Sequence, residues 1–391
     1  MIKIILNMEQ KSNLTSVAKF ILIMLIIVCC ISGMNAQIVG VWAVGDGEKI
    51  FKYNTEHVAK KSNSIWDGEQ IRLRGIYNEV LGFQVIVEVD STGANGLELS
   101  MSPPVHPASG VMIGGSGAVP YGEQGYIEFF SQHYLHVVRP TEPNWFYGSE
   151  NSAPAEMTGW IPDALIPSDA LAGKGGFPLT IPPTEEEIHR HQNIVDITPR
   201  RASLNQGFWI DLYLPRDRQY PAGLYESEIQ VWEGGEINTR IAVKIEILDA
   251  YLPDQNHSNV WMYNSGLEEL SRYFTGLEKP ELRRLLKHEA KRHRIELVGG
   301  FEAHRSVYDE KILTDYKPFL DGSAYTPAYG YHGPGQGIGE VLFPVGMYGG
   351  RVLGTTKEKM QEESDKWAFW FEKHAPGVNY FKYMIDEPGP A

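Results

Sequence analysis

The chain has 391 residues, 42% of them hydrophobic and 21% charged, with a formal net charge of -14. That length exceeds one small core, so two domains are expected. The acidic balance argues against nucleic acid, because phosphate binding needs a basic face, and it suits a neutral or polar substrate.

The first segment reads as a targeting signal. Lys11 and Lys19 precede an apolar run from Phe20 to Ile31, and the small, polar Ser32-Gly33-Met34-Asn35-Ala36 follows. The run is short for a membrane span of roughly 20 residues and suits a signal-peptide core, with cleavage expected after Ala36. Met34 is large for its position, so an uncleaved N-terminal anchor is the alternative. Residues 1–36 are therefore read as a signal and the protein as secreted or periplasmic. Both cysteines, Cys29 and Cys30, lie inside this segment. The mature chain is expected to have no disulfide, no thiolate nucleophile and no cysteine metal site.

Residues 37–250 read as strand and turn. Ile71 to Ile76 and Phe83 to Val89 alternate with period two, Phe208 to Leu214 ends at Pro215, and Gly223 to Trp232 runs into Gly234-Gly235. That glycine pair predicts a hairpin, with Ile237 to Leu248 returning. Several half-buried strands separated by turns predict a β-sandwich. A Pro- and Gly-rich stretch, 140–183, interrupts it and carries Trp145, Phe146, Trp160 to Asp163 and Phe177. It is read as a long ordered loop whose aromatics pack on a neighbour, with a sugar-lining role as the alternative.

Beyond Tyr251 the pattern changes. Val260 to Tyr263 reads as a short strand, and Leu282, Leu285, Leu286 and Ala290 recur at helical spacing after Pro280. The basic run Arg283-Arg284, Lys287, Lys291-Arg292, Arg294 is read as the outer face of that helix. Ile295 to Phe301 is the next strand, and Val341 to Gly346 another, weakened by Pro344. Lys357 to His374 is an amphipathic helix with Trp367, Phe369, Trp370 and Phe371. A strand from Tyr380 follows. This is the βα grammar of a parallel sheet, open or closed into a barrel. About 140 residues follow Ala250, against roughly 250 for a complete (β/α)8 barrel. The expectation is a multidomain β plus α/β chain: a β-sandwich, then residues 251–391 as the first half of a TIM-type barrel. The chain would stop after the fourth strand and be inactive alone.

The last strand delivers Asp386 and Glu387, followed by Pro388. Successive strand residues point to opposite faces, but the proline ends the ladder and holds Glu387 extended, so both carboxylates can turn into one cleft. Paired acids at such a place break glycosidic bonds. A solvated turn is the bland alternative. A second Asp-Glu pair, Asp309-Glu310, has no strand before it and is read as a surface pair. Glu187-Ile188-His189-Arg190-His191 lacks a recognised ligand spacing and is read as a solvated segment, so no metal and no other cofactor is expected.

Trp66-Asp67-Gly68, Asn78 to Gln84, Trp160 to Pro167, Pro221 to Tyr225, Leu320 to Ser323, Gly330 to Pro334 and Ile385-Asp386-Glu387-Pro388 stand in an order and spacing of their own. Together they resemble glycoside hydrolase family 123 and its relatives. The resemblance implies a sandwich packed on a (β/α)8 barrel and a retaining β-N-acetylgalactosaminidase activity. It implies Glu387 as general acid/base and Asp386 as the group that orients the substrate's own 2-acetamido nucleophile, the substrate-assisted exception to the two-carboxylate rule. The anion of Asp386 would help keep Glu387 protonated. The implied partner is a glycan or glycolipid bearing a 2-acetamido sugar. His304 and Arg305 follow a strand at the end where barrel sites form. Tyr331-His332 and Tyr348 lie in Gly-rich loops where an aromatic ring can stack on a sugar. Plain loop packing is the alternative for each. The rival for the whole chain is a non-catalytic glycan-binding or surface protein on the same fold.

Overall fold

A computed structural model of the chain describes residues 38–114, 126–139, 158–170, 173–191, 194–198, 201–258, 260–264, 271–272, 276–299, 308–346 and 356–382. The expected signal, 1–36, lies outside the described residues, as do Trp145 and Phe146 of the interrupting stretch. The first region holds β1 (Ile38–Gly45), β2 (Gln70–Tyr77), β3 (Val80–Val89), β4 (Ala94–Met101), β5 (Ile127–Val137) and β6 (Gly159–Pro167). It continues with β7 (Leu179–Ile181), β8 (Glu187–His191), β9 (Ile194–Thr198), β10 (Leu204–Tyr213), β11 (Gly223–Glu233) and β12 (Glu236–Tyr251). Among the described residues these form sheets ordered β1-β3-β10-β5-β6 and β2-β12-β11-β4-β7, plus a β8–β9 hairpin.

The two sheets share one apolar core, with Trp42, Val85 and Phe208 from the first and Ile71, Ile229 and Ile245 from the second. Each large side chain taken out of water contributes roughly 1.5–3 kcal/mol, which makes this core the main anchor of the region. The predicted hairpin forms through Gly234 and Gly235, both at positive φ (59° and 85°), the backbone a two-residue turn of this hand requires. β2 joins β12 in parallel. β3, read as half-buried, is buried along its whole second half. On its outer side Gln84 bonds the Gly45 and Glu48 carbonyls, while Glu88 receives Trp42 Nε1 and Lys60.

The stretch 140–183 is not simply a loop. Trp160 to Pro167 lies in β6, paired antiparallel to β5, and Leu179 to Ile181 pairs with β4. β6 is an edge strand, where the missing N–H of Pro162 costs little. Glu187 to Arg190 is largely exposed, as read, but it is a strand: it pairs with β9, and the His189 ring packs 3.9 Å from that of His136.

The second region holds β13 (Trp261–Asn264), α1 (Lys279–Arg292), β14 (Glu296–Gly299), α2 (Glu310–Leu320), β15 (Leu342–Gly346), α3 (Lys357–His374) and β16 (Asn379–Lys382). β13 pairs with β14 and β15 with β16, both in parallel. β14 lies beside β15. Pro344 does not abolish β15; it sits at a register irregularity opposite Phe381. The molecule is thus a β-rich multidomain chain whose last strands are parallel ribbons separated by helices. The full half barrel is a finer reading than these ribbons.

Two regions meet at Asn78. This fully buried residue adopts a left-handed backbone (φ 66°), which asparagine tolerates better than most side chains. Its Nδ2 donates to Leu252 O (2.8 Å) and Asp254 Oδ1 (2.9 Å), and its Oδ1 accepts from Tyr213 OH (2.9 Å). Arg294 Nη2 donates to the Asn78 carbonyl at 2.8 Å.

Candidate active site

Parallel strands present their C-terminal ends on one side, and in such folds that side carries the reactive groups. β14 ends at Gly299, β15 at Gly346 and β16 at Lys382. In the sequence His304 and Arg305 come soon after β14, Tyr348 just after β15, and Asp386 and Glu387 soon after β16. These five residues lie outside the described residues. What is seen is the support that leads to them. Phe371 of α3 stacks on Tyr380 of β16 with centroids 4.5 Å apart and 10° between planes, and Phe343 of β15 packs on Phe371 at 5.5 Å. Trp261 on β13 reaches Phe381 on β16 at 5.9 Å, which curls the first ribbon toward the last.

Of the sequence-named residues, Tyr331 and His332 are described. Both precede β15 and so belong with the N-terminal ends of the ribbons. The Tyr331 ring is fully buried, its hydroxyl donates to Pro334 O, and it packs edge-on against His288 (5.2 Å) and Tyr325 (5.5 Å). It offers no open face to a sugar. His332 is half-buried, and burial followed by the positive charge of Arg292 lowers its pKa.

The basic run read as the outer face of α1 does not all face outward. Lys287 and Lys291 are buried. Lys287 Nζ stands 3.0 Å from both carboxylate oxygens of Glu340 and 2.9 Å from Leu297 O, and the Tyr325 hydroxyl also donates to Glu340. Lys291 Nζ lies 4.9 Å from the Tyr325 ring centre. Burial, then the negative charge of Glu340, pushes the Glu296 carboxyl upward. His288 is pushed down to about 4, chiefly by burial, while its Nε2 donates to Ala324 O. Perturbed titrating groups often mark active sites, but these sit at the strand starts, where such features serve stability.

Asp309-Glu310 stays outside this network. Asp309 caps the start of α2, its carbonyl accepting the Leu313 N–H, and acids suit a helix N-terminus. Sequence reasoning missed Asn78 and Arg294 as a joint. Asn78 was visible inside a motif, but its role depends on Arg294, far along the chain.

No family model matches the chain, and no curated protein matches it. Among solved structures it is similar to a family 123 glycoside hydrolase from Clostridium perfringens studied for glycolipid glycan hydrolysis. Identity there is 12% and the TM-score 0.39, over 64% of this chain and 36% of that one. It is also similar to CfaE, the adhesive subunit of the CFA/I fimbria of enterotoxigenic Escherichia coli. That match has 8% identity and a TM-score of 0.19, over 46% of each chain. The chain therefore spans well under two thirds of the length of either protein.

Proposed function

We propose that the chain belongs to a secreted glycoside hydrolase of the substrate-assisted kind, acting on a 2-acetamido sugar of the galactosamine type. The observation that carries this reading is the β15–β16 ribbon. It is parallel, it is backed by the aromatic face of α3, and the chain leaving its C-terminal end reads Asp386-Glu387-Pro388. In this reading the ribbons are the first half of a (β/α)8 barrel, and the sandwich, ending near Ala250, is a separate domain.

Glu387 protonates the leaving oxygen and later takes a proton from water. Asp386 steadies the acetamido group while its oxygen attacks the anomeric carbon. Adjacency suits this chemistry: two neighbouring carboxylates cannot flank a sugar ring from opposite sides, but one can protonate the leaving oxygen while the other steadies a nucleophile already on the substrate. His304, Arg305 and Tyr348, which follow the neighbouring strand ends, are the candidate sugar contacts. Among the described residues no helix is long and apolar enough to cross a membrane.

The test is hydrolysis of aryl β-glycosides by the gene's full product. Cleavage of 2-acetamido substrates, strong inhibition by a thiazoline mimic of the oxazolinium intermediate, and no cleavage of the plain galactoside support the reading. Efficient cleavage of the plain galactoside overturns it.

A further inference from the structure

The sandwich carries a cavity lined by its own residues. It has a volume of about 420 Å³ and is lined by Phe51, Tyr53, Asn54, Thr158, Gly159, Trp160, Ile197 and Thr198. That size falls within the range of small-molecule sites.

Its walls are held from behind. Asn205, fully buried on β10, donates through Nδ2 to the carbonyls of Phe51 (3.0 Å) and Asn54 (2.8 Å), and its own N–H bonds Lys52 O at 2.6 Å. The Lys52 N–H in turn donates to Trp160 O at 3.0 Å, tying the turn to β6. The Trp160 ring is fixed as well. Its Nε1 donates to Thr198 Oγ1 (3.1 Å), the His136 ring stacks on it at 4.8 Å and 25°, and Lys52 Nζ lies 4.9 Å from its centre. The wall is therefore set before any ligand arrives, which lowers the ordering cost of binding.

Two polar groups at this cavity remain unspent. The Tyr53 hydroxyl and the Asn54 carboxamide make no hydrogen bond among the described residues. Together they supply donors and acceptors beside the apolar faces of Phe51 and Ile197. That mixture matches a ring with one carbon-rich face and a rim of hydroxyls, and it offers no cluster of cations for a phosphate.

We propose that this cavity is a second, non-catalytic site that binds a single neutral sugar ring. Phe51 and Trp160 form its wall, and Tyr53 and Asn54 read the hydroxyls. It would hold a glycan while another part of the same molecule is processed. Its occupancy does not depend on Asp386 or Glu387.

Titration with N-acetylgalactosamine, galactose and glucose, followed by calorimetry and by ligand-observed NMR, tests this. The expected result is saturable binding of at least one of these sugars that persists in Asp386→Asn/Glu387→Gln. It should weaken at least tenfold in Tyr53→Phe/Asn54→Ala, which removes only the two free polar groups and leaves the Asn205 clamp intact. Trp160→Ala gives the same loss where it folds; where it does not, the Tyr53/Asn54 double variant decides alone. Absence of saturable binding, unchanged binding in that double variant, or loss of binding in the acid-pair variant each overturns the proposal. Failed hydrolysis with binding retained would count against the catalytic reading only.

Discussion

Trp261 and Phe381 meet ring to ring, 5.9 Å apart, though they belong to β13 and β16, the first and last described strands of the second region. Their contact joins one ribbon to the other, so it should be felt by both. A double-mutant cycle with Trp261→Ala and Phe381→Ala, followed by urea unfolding, should give a coupling of about 0.5–1.5 kcal/mol, the usual range for an aromatic pair. Strict additivity would mean that the ribbons do not depend on each other.

Asn78 holds its joint through both backbone shape and side-chain bonds. Asn78→Ala removes one hydrogen bond each from Tyr213 OH, Leu252 O and Asp254 and forces an alanine to a positive φ. The expected loss is about 3 kcal/mol, from buried hydrogen bonds removed plus strain. Asn78→Gly loses the same bonds without the strain, so it should unfold about 1 kcal/mol later than the alanine variant. Equal midpoints in urea would show that the left-handed turn stores nothing.

Glu128 of β5 lies against α1, where Arg292 reaches it at 3.5 Å. Burial pushes its carboxyl up from 4.5 to about 7, opposed in part by Arg292. Between those values the unfolded chain has already lost the proton that the folded chain keeps, so this group lowers stability as pH rises from about 4.5 to 7 and adds no further change above. His288 has the opposite sign. Its pKa drops from 6.5 to about 4, so its contribution to stability is lost as pH falls through that window. Urea midpoints measured from pH 4 to 8 should therefore diverge: relative to wild type, Glu128→Gln gains stability toward pH 7, and His288→Gln gains toward pH 4. Parallel curves would contradict both assignments.

The acid pair predicts a split in leaving-group dependence. Glu387→Gln should lose roughly 10²–10⁴-fold on substrates with poor leaving groups and much less on activated aryl glycosides, which need little protonation. Asp386→Asn should damage both kinds, because it weakens the intermediate itself. Steady-state kcat/KM against leaving-group pKa separates the two, and equal small losses would assign the residues wrongly.

The sandwich was readable where residues decide locally. The β11–β12 hairpin follows from alternation and Gly234-Gly235, and the α3 helix from Lys357 to His374 matches its apolar spacing. β6 was harder, since Pro162 and Pro167 look like loop residues until the strand is known to lie on an edge. Lys287 and Lys291 defeated sequence reasoning for another reason. A lysine reads as surface unless its partner is visible, and Glu340 belongs to another segment, just before β15. As for the candidate site, the sequence named residues that follow strands, together with Tyr331 and His332, which precede one, and of these only Tyr331 and His332 are described. Nothing local distinguishes a Gly-rich loop before a strand from one after it.

The Lys287–Glu340 pair also polices assembly. It gathers α1, the Leu297 carbonyl of β14 and the segment entering β15 around a single buried ammonium. Glu340 stands two residues before β15, so a slip of that strand by one residue would carry its carboxylate about 3.3 Å away from Lys287. A slipped β15 would strand Lys287 without its counter-charge, an error costing on the order of 3–5 kcal/mol. Apolar contacts alone forgive such slips far more readily. A nascent chain that brings these segments together is thus offered one alignment that neutralises the ammonium, and misaligned intermediates are left free to open and try again.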